Sequence, residues 1–579
     1  MISTHEVANQ VPPRVDVDEF AENVPLVEAV ARWGRAGAGH EPGTRDEPGA
    51  HAQPAAHAQP AAHATSALHG IGRLVGSAAF QRDAERANTH APVLRTHDRW
   101  GRRIDEVEYD DAYHRVIAQA VAAGAHTSAA ADPGPGANVD RAAAFLLYAQ
   151  VEPGHACPVS MTHAAVPVLE HAASAFRDEW MPRLLSRDYE PDLVPGKSSA
   201  LVGMAMTEKQ GGSDVRANTT RAERRGADDG GWGAEYGLTG HKWFCSAPMS
   251  DAFLVLAQAP SGLSCFFVPR VLPGGERNVF RIQRLKDKLG NRSNASSEIE
   301  LDGTSAWLVG EEGRGVATIV QMVTQTRLDC VIGTAAGMRQ SVAEAAWHVR
   351  HRSAFGALLV DQPAMSAVVA DLALESEAAT LTAMRLARAY DDDATASDSS
   401  GAEPAFRRLA TAVAKYQVCK RGAGHAAEAL ECLGGNGYTE AFPLARRYRE
   451  QPLLAIWEGS GNVIALDVLR VLAREPDAFE AFFAEAGAAA GASRVFDEAL
   501  AEVAGLARDV ATMGPDAAAS VARELTEGLA LVLQGSLMLR FAPTPVAEAF
   551  VRSRLGREGG AQYGALPRGV DVGAILARA

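Results

Sequence analysis

One carboxylate in the sequence stands out by its neighbours. Glu458 lies between Trp457 and Gly459 in the stretch IWEGSGN, and an apolar helical pattern, VIALDVLRVL, begins shortly after Ser460. Apolar surroundings raise the pKa of a carboxyl group and suit it to take a proton from carbon. An acid that complements the dipole of a helix start, with Ser460 as N-cap, fits the same residues. The local pattern leaves both interpretations open.

A glycine cluster and an arginine could together hold a cofactor that carries phosphates. Gly434, Gly435 and Gly437 would let backbone N–H groups approach a pyrophosphate or a flat ring, because no Cβ intervenes. The cluster lacks G-x-G-x-x-G spacing and follows a helical pattern, so a Rossmann site is disfavoured. A helix C-cap followed by a turn would explain the glycines equally well. Arg352, before a Phe-Gly turn, could pair with phosphates or could be solvated.

Two further stretches carry aromatic and hydroxyl groups. In GHKWFCS (240–246), Trp243 and Phe244 could wall a planar cofactor while the hydroxyl of Ser246 contacts a ring nitrogen. Packing in the core of a β-domain would explain the two aromatic residues just as well. The other stretch is MTEKQGGSD (206–214), and each of these patterns is weak when taken alone.

The elements that must position these residues change type along the chain. Helical spacing of Ala, Leu and Val gives way near residue 200 to short apolar stretches separated by Gly, Pro and Asn, and returns after Gly315. We therefore predict a mainly α protein with a small β-domain. The predicted parts are an N-terminal segment (1–35), a low-complexity insertion (36–68), a helical domain (69–200), a middle β-domain (201–314), a helical bundle (315–475) and a C-terminal helical domain (476–579).

Two stretches within this plan are predicted to lack packed structure. Residues 36–68 contain HAQPAA twice in tandem and almost no large apolar residue, so we expect a disordered or loosely held insertion. The polar run DDDATASDSSGAEP (391–404) is predicted to be a surface loop between two long helices.

Composition excludes several classes of protein. A chain of 579 residues is too long for one core, and 47% apolar with 22% charged residues is typical of globular proteins. The net charge of −15 repels phosphate polymers, so nucleic-acid binding would need a local patch. The six scattered cysteines predict neither disulfides nor a metal site. With no apolar run of membrane-spanning length and no signal-peptide pattern, we expect a cytoplasmic protein without membrane contact.

Seven motifs in one order carry a family resemblance. MTEKQGGSD, GHKWFCS, KLGNRSNASSEIE, RSAFG, LGGNGYTE, RRYRE and IWEGSGN follow one another along the chain. In this order the sequence resembles the acyl-CoA dehydrogenase flavoproteins over roughly residues 95–470. The resemblance implies FAD, a fold of helical domain, β-barrel and helical bundle, and a homo-oligomer, typically a tetramer. Several motifs look more particularly like the branch of the family that has an extra C-terminal helical domain and is linked to the response to DNA alkylation.

The resemblance also implies roles for the cofactor-binding residues. It puts Thr207 near the pyrimidine edge of the flavin and Ser213 near the groove for substrate or cofactor. Phe244 falls where relatives usually have Trp against the flavin, and Ser246 where they usually have Thr beside N5. The remaining cofactor positions include five that in the family reach the FAD of a neighbouring subunit, namely Arg352, Gln362, Gly434, Gly435 and Gly437, and two after the acid, Ser460 and Asn462.

For catalysis, the resemblance identifies Glu458 as the base, with Trp457 and Ser460 in place of the family's Tyr and Thr. Some relatives carry the base before an arginine, and here that position is Thr326, next to Arg327, so no second base competes. The implied reaction is removal of the α-proton of an acyl thioester by Glu458, with hydride transfer from the β-carbon to flavin N5. Arg327 and Trp457 are the expected substrate contacts. The alternative function is that of an ordinary metabolic acyl-CoA dehydrogenase without a DNA role.

The charge of the last domain bears on that DNA role. Residues 477–579 hold nine basic and thirteen acidic residues, whereas a duplex-binding domain usually has a basic face. Two arginine clusters are the candidate contacts to double-stranded DNA, although solvated helix faces, or the family's own RRYRE motif, also explain them. The clusters are Arg446, Arg447 and Arg449, and Arg552, Arg554 and Arg557.

Overall fold

A computed structural model describes residues 4–37, 58–225, 231–391 and 401–579. In chain order its helices are α1 (Val24–Trp33), α2 (Ala58–Gly76), α3 (Ala78–Thr89), α4 (Asp111–Ala122), α5 (Ser128–Ala131), α6 (Ala137–Val151), α7 (Ala156–Leu169), α8 (Ser174–Leu185), α9 (Gly315–His351), α10 (Pro363–Arg388), α11 (Ala402–Glu431), α12 (Pro443–Leu454), α13 (Gly461–Arg474), α14 (Pro476–Ala486), α15 (Arg494–Thr512), α16 (Pro515–Phe541), α17 (Thr544–Phe550) and α18 (Val572–Leu576). The strands are β1 (Val93–His97), β2 (Arg103–Glu108), β3 (Val202–Ala205), β4 (Arg221–Arg225), β5 (Glu235–Ser246), β6 (Ala252–Ala259), β7 (Gly262–Pro269), β8 (Arg281–Leu285), β9 (Ser296–Val309), β10 (Ser353–Ala354) and β11 (Ala357–Leu358).

The chain divides into two units that interleave along the sequence. The helical unit comprises Met1–Ala78, Gly134–Val151 and Cys330–Ala579, and the barrel unit comprises Ala79–Pro133 and Glu152–Asp329. The part of the chain predicted as one N-terminal helical domain is therefore shared between both units. The C-terminal helices lie in the same unit as the helical bundle.

The middle β-strands close into a barrel, as predicted. β5 pairs antiparallel with β4 and β9, β7 pairs antiparallel with β9 and β6, and β6 returns to β4 through a parallel pair at Arg221 and Gln258. β3 extends the sheet beside β6, and β8 pairs with β9. The closed ring buries large apolar side chains such as Leu238, Phe253 and Phe266, whose burial stabilises this unit.

A hairpin in the barrel unit was not predicted. β1 and β2 pair antiparallel with Val93 opposite Glu108, and Val107 joins the buried core of the barrel. The connecting turn contains Gly101 at φ +81°. The alternation in RIDEVE and this glycine are the sequence signals that a purely helical interpretation of residues 69–200 overlooked.

The predicted insertion needs a correction at its C-terminal end. Helix α2 begins at Ala58, so residues 58–68 are helical, because alanine favours a helix and Leu68 is buried. Residues 38–57 lie outside the described part of the chain. Most of the polar run 391–404 lies outside it as well, but the two long helices that flank it, α10 and α11, are present as predicted.

Within the described ranges, no helix is long and apolar enough to cross a membrane. The same residues hold no cluster of three or more His, Cys, Asp or Glu side chains suited to bind a metal ion.

Candidate functional site

The predicted base lies in a strained turn of the helical unit. Residues 455–460 connect α12 to α13, and Glu458 has φ +59°. Side chains other than glycine rarely adopt this region, and a bulky residue there costs on the order of 1 kcal/mol or more. Gly459 follows at φ +113°, a conformation that favours glycine. The fold thus maintains an unfavourable backbone at the carboxylate, which is characteristic of functional residues.

Two neighbours of Glu458 have polar groups that do not serve the turn or the following helix within the described residues. The indole Nε1 of Trp457 is buried and has no hydrogen-bond partner in the described residues, which is rare for a buried donor. Ser460 occupies the N-cap position of α13, yet its hydroxyl makes no capping bond, and no acid lies in the first helical turn. Ser460 is therefore the N-cap by position, as one interpretation predicted, but without a side-chain bond, and Glu458 lies before the helix.

A residue that sequence reasoning missed holds the same turn. Lys415 on α11 is 1% exposed, and its Nζ donates a hydrogen bond to the carbonyl oxygen of Gly459 at 2.6 Å. Lysine is almost never fully buried without a partner. The sequence signal was a single cation inside the apolar pattern of α11.

The predicted cofactor arginine is held by the N-terminal segment. β10 and β11 form a two-residue hairpin whose tip, Phe355 at φ +54°, is fully exposed. Arg352, at its base, donates to the carbonyl oxygen of Asn9. The Asn9 side chain donates to Ser353 O at 2.8 Å and accepts from Ser353 N at 2.9 Å. Gln362 closes the hairpin by donating to Ala354 O at 2.9 Å.

The glycine cluster forms a 3₁₀ turn after α11 in which the glycines differ in role. Gly434, at φ +59°, and Gly435 are exposed, and a Cβ at either would meet nothing within 4 Å. Their backbone groups are therefore open to a ligand. Gly437 is buried, and a Cβ there would lie 2.0 Å from Leu430 O. Close packing thus explains the glycine at position 437 without a cofactor.

In the barrel unit, the two remaining motifs meet at the end of β5. The N–H of Trp243 donates to Thr207 O at 2.8 Å, so the 206–214 loop is pinned to this strand. Phe244 is 48% exposed, and Lys286 Nζ lies 4.7 Å from the centroid of its ring and 3.3 Å from that of the Trp243 ring. The hydroxyl of Ser246 is half-buried and lies 3.1 Å from that of Ser296. A half-exposed aromatic ring and a nearby hydroxyl are thus available together. Ser213 is exposed further along the loop.

A buried ion pair lies under these motifs. Glu208 and Lys242, both with fully buried side chains, are 2.8 Å apart. Burial alone would raise the pKa of Glu208, but the hydrogen bonds from Lys242, Thr219 and Thr220 outweigh it and hold that pKa well below its usual value. Because Glu208 follows Thr207 and Lys242 precedes Trp243, the pair ties both motifs to the barrel.

Thr326 is the residue that the resemblance puts at the alternative base position. Thr326 on α9 is buried, and its hydroxyl donates to the carbonyl oxygen of Met322 at 3.2 Å in its own helix. Arg327 beside it is half-buried.

The first arginine cluster predicted to contact DNA is mostly buried. Arg447 is 2% exposed and donates to the carbonyl oxygens of Gln150 and Val151, and Arg446 also donates to Val151 O. Arg449 forms a two-point ion pair with the exposed Glu440.

The second cluster is split by burial as well. Arg554 pairs with Asp371 at 2.5 Å in the interior. Arg552 pairs with Glu558 at 2.6 Å and Arg557 with Glu502 at 3.1 Å, on the surface. Burial removes Arg446, Arg447 and Arg554 from the predicted phosphate contacts. These arginines are buried because they contact residues that are distant in sequence. A local pattern of arginines does not reveal such contacts.

Comparison with known families agrees with this arrangement of barrel and helices. The sequence matches the middle domain of acyl-CoA dehydrogenases over residues 203–304 and their C-terminal domain over residues 313–473. Residues 44–191 match the N-terminal domain of the adaptive response protein AidB. The chain belongs to the acyl-CoA dehydrogenase family, a family of oxidoreductases, and has the N-terminal domain of its AidB branch.

Among individual relatives, the chain is 44% identical to AidB of Escherichia coli (strain K12) over 493 residues, 85% of this chain and 88% of that protein. It is 30% identical to acyl-CoA dehydrogenase family member 11 of Caenorhabditis elegans over 488 residues, 79% and 77% of the two chains.

Two solved structures share the fold. Caenorhabditis elegans ACDH-11 in complex with C11-CoA has a TM-score of 0.83 at 24% identity, over 96% of this chain and 94% of that one. An acyl-CoA dehydrogenase from Bacillus anthracis complexed with FAD has a TM-score of 0.67 at 16% identity, over 86% of each chain.

Proposed function

We propose that the protein is an FAD-dependent acyl-CoA dehydrogenase in which Glu458 removes the α-proton of an acyl thioester. The observation that carries the proposal is Glu458 at φ +59° in a turn that α11 holds through Lys415. Strain of this kind persists where the surrounding structure enforces it, and it is common at catalytic residues. Membership of the acyl-CoA dehydrogenase family supports the reaction class.

FAD is the cofactor, and the side chains present fit it. The exposed ring of Phe244 suits one face of a flat ring system, while the hydroxyls of Thr207 and Ser246 suit its polar edge. Ser213 extends this set along its loop. When bound, FAD supplies the acceptor for the β-hydride.

On the helical unit, the exposed backbone of Gly434 and Gly435 and the guanidinium of Arg352 suit phosphate groups. Ser460 and Asn462 offer exposed polar groups before and in the first turn of α13, where helix N–H groups also favour anions. By their correspondence to family positions, Arg352, Gln362 and the glycine turn contact the FAD of a neighbouring subunit. The protein is accordingly proposed to be a homo-oligomer, in the family pattern a tetramer.

The acyl thioester is the substrate, and the base turn supplies groups to hold it. Glu458 accepts the α-proton, and the buried, unused N–H of Trp457 is available to a substrate atom. Donors aimed at the thioester carbonyl stabilise the negative charge that develops as the proton leaves. Arg327, next to Thr326, is proposed to contact the substrate through its cationic side chain.

An anaerobic titration tests the proposed function. The purified protein, saturated with FAD, is titrated with straight-chain, branched and aryl acyl-CoAs while the oxidised flavin absorption is followed. We expect at least one acyl-CoA to bleach the flavin band and to yield the α,β-unsaturated thioester. A protein that binds no FAD, or whose flavin no acyl-CoA reduces, contradicts the proposal.

A second function, in the response to DNA alkylation, is favoured by the match of residues 44–191 to the AidB N-terminal domain and by the identity to AidB itself. We propose that any contact to duplex DNA is weak and uses the arginines of the two clusters that still reach the surface. The side chain of Arg557 is 81% exposed and that of Arg552 is 34% exposed, whereas that of Arg449 is only 14% exposed and would have to leave its ion pair with the exposed Glu440 to reach a phosphate. All six cysteines are buried thiols, which supports a cytoplasmic protein.

Salt dependence tests the DNA proposal. Each neutralised phosphate contributes about −0.9 to the slope of log affinity against log salt, so two or three arginines predict a slope of roughly −2 to −3. The variant Arg449→Ala/Arg552→Ala/Arg557→Ala should bind more weakly and with a shallower slope. No duplex binding at low salt would contradict a DNA role for this chain, and an unchanged slope would exclude these arginines.

A further inference from the structure

A buried lysine anchors the turn that carries the base. Lys415 is 1% exposed in the middle of α11, and its neighbours Ala414 and Tyr416 are buried as well. Its ammonium group donates to Gly459 O at 2.6 Å. Removing an ammonium group from water is costly, so a lysine retained there must make interactions that offset the loss of hydration.

The bonded carbonyl lies directly after the strained residue. Glu458 has φ +59°, outside the conformations that a residue other than glycine prefers, and Gly459 follows at φ +113°, which glycine adopts readily. Without an external bond, this segment would relax toward ordinary backbone angles and move the Glu458 carboxylate. A charged hydrogen bond is about twice as strong as a neutral one and is directional, so it can hold the carbonyl in place.

We propose that Lys415 is a positioning residue for catalysis: its ammonium group fixes the Gly459 carbonyl and thereby keeps the Glu458 carboxylate in its reactive place. The inference rests on the proposed function, because it assumes that Glu458 is the base. Lys415 acts through the turn and itself transfers no proton. Loss of the bond should therefore slow proton abstraction much more than it weakens acyl-CoA binding.

The chain offers a matched control on the same helix. Arg407 of α11 also donates to a backbone carbonyl, Ala389 O, at 2.9 Å. Arg407→Met removes a cation and a bond of the same kind without touching the 455–460 turn. Lys415→Met keeps the length of the side chain and its apolar stem while deleting the ammonium group.

The first arm of the experiment measures the turn directly, without any need for turnover. Amide hydrogen exchange is followed by mass spectrometry in peptides that cover residues 455–462, in the FAD-loaded protein. We expect exchange in these peptides to be at least about tenfold faster in Lys415→Met than in wild type, and unchanged in Arg407→Met. Unchanged exchange in Lys415→Met overturns the anchoring role.

The second arm separates binding from chemistry. Flavin reduction by an active acyl-CoA is followed in single turnovers over a range of substrate concentrations. A misplacement of about 1 Å can cost roughly 10²-fold in rate, so we expect reduction to be about 10- to 100-fold slower in Lys415→Met. Its acyl-CoA dissociation constant should change less than about threefold. A wild-type rate, or a loss that lies entirely in the dissociation constant, overturns the proposal.

Two further results keep the test decisive. If Lys415→Met does not fold, Lys415→Gln, which keeps a neutral donor, is measured in both arms and should fall between wild type and the full effect. Wild-type behaviour of the Gln variant in both arms then overturns the proposal. If no acyl-CoA reduces the wild-type flavin, the proposed function fails and the catalytic part of this inference fails with it. The exchange arm still decides whether Lys415 anchors the turn.

Discussion

Replacing Lys242 by methionine should unfold the barrel unit at a markedly lower temperature. Lys242 is the cation of the buried pair with Glu208, and Lys242→Met keeps the shape of the side chain while removing its charge. The Glu208 carboxylate then stays buried without a cation, which is costly because the interior screens charge poorly. The pair also ties the 206–214 loop to β5, so flavin retention should fall together with stability.

The contacts of Glu208 determine how much stability Lys242→Met is expected to lose. Removal of one partner of a buried pair costs about 3–5 kcal/mol. Neutral donors remain on the carboxylate, at 2.7 Å from Thr219 N and 2.6 Å from Thr220 Oγ1, so the lower end of that range, about 3 kcal/mol, applies. For a unit of this size each kcal/mol corresponds to roughly 2–4 °C, which predicts a fall of about 6–12 °C in the melting temperature.

The pH dependence of the effect follows from the state of Glu208. In wild type its folded pKa is lowered, so its stabilising contribution is full above the unfolded value and is lost as pH falls toward the folded one. In Lys242→Met the pKa of Glu208 in the folded state should rise. The variant should therefore lose the most stability at neutral pH, where the buried carboxyl is charged. The difference from wild type should shrink as the pH falls and the variant's carboxyl takes up a proton.

The assay is thermal unfolding by circular dichroism between pH 4 and pH 8, with Glu208→Gln/Lys242→Met as the matched control. The double variant removes both charges and should recover much of the loss, because a buried pair replaced as a whole is often nearly neutral. A melting temperature of Lys242→Met within about 2 °C of wild type at pH 7 would refute the reasoning. A double variant less stable than the single one would refute it as well.

Three other changes have distinct expected outcomes. Arg352→Ala should weaken FAD binding roughly 10- to 100-fold, because a charged hydrogen bond contributes about 1.5–3 kcal/mol. The loss of FAD is measured by flavin fluorescence after dilution. If the variant retains as much FAD as wild type, Arg352 does not hold the phosphates. Arg554→Ala should lose about 3 kcal/mol in urea unfolding, because it leaves Asp371 buried without this cation, whereas the exposed Arg557→Ala should change stability by less than about 1 kcal/mol. Equal losses would contradict the burial argument. Deletion of residues 41–56, which lack large apolar side chains, should leave the melting temperature within about 2 °C of wild type, and a larger fall by calorimetry would show that they pack against the protein.

The barrel could be predicted from sequence because its signals are local, and the proposal of Glu458 as the base came from motifs that are ordered along the chain. Strand-length apolar stretches between glycine and proline turns predict the barrel. The β1–β2 hairpin was missed because its few strand residues lie among strongly helical patterns. The interleaving of the two units depends on which helices pack together, and that is decided by contacts between residues far apart in sequence.

Burial of charged residues was the least predictable feature. Arg447 and Lys415 are ordinary cations in their local sequence, but each donates to a carbonyl oxygen that lies elsewhere in the chain, at Val151 and Gly459. A sequence pattern shows which face of a helix is polar, but it does not show which carbonyls another segment will bring to that face. Arg447 was for this reason predicted as a DNA contact, and Lys415 was overlooked.

The rate of flavin reduction in wild type and in Glu458→Gln tests the central claim most directly. Both proteins are loaded with FAD and mixed without oxygen with an acyl-CoA that reduces the wild type, and absorption is followed in a stopped-flow instrument. Glutamine keeps the shape of the side chain but cannot accept the α-proton, so reduction should slow by at least about 10²-fold while the variant still binds FAD and acyl-CoA. Reduction of Glu458→Gln at the wild-type rate would show that Glu458 is not the base.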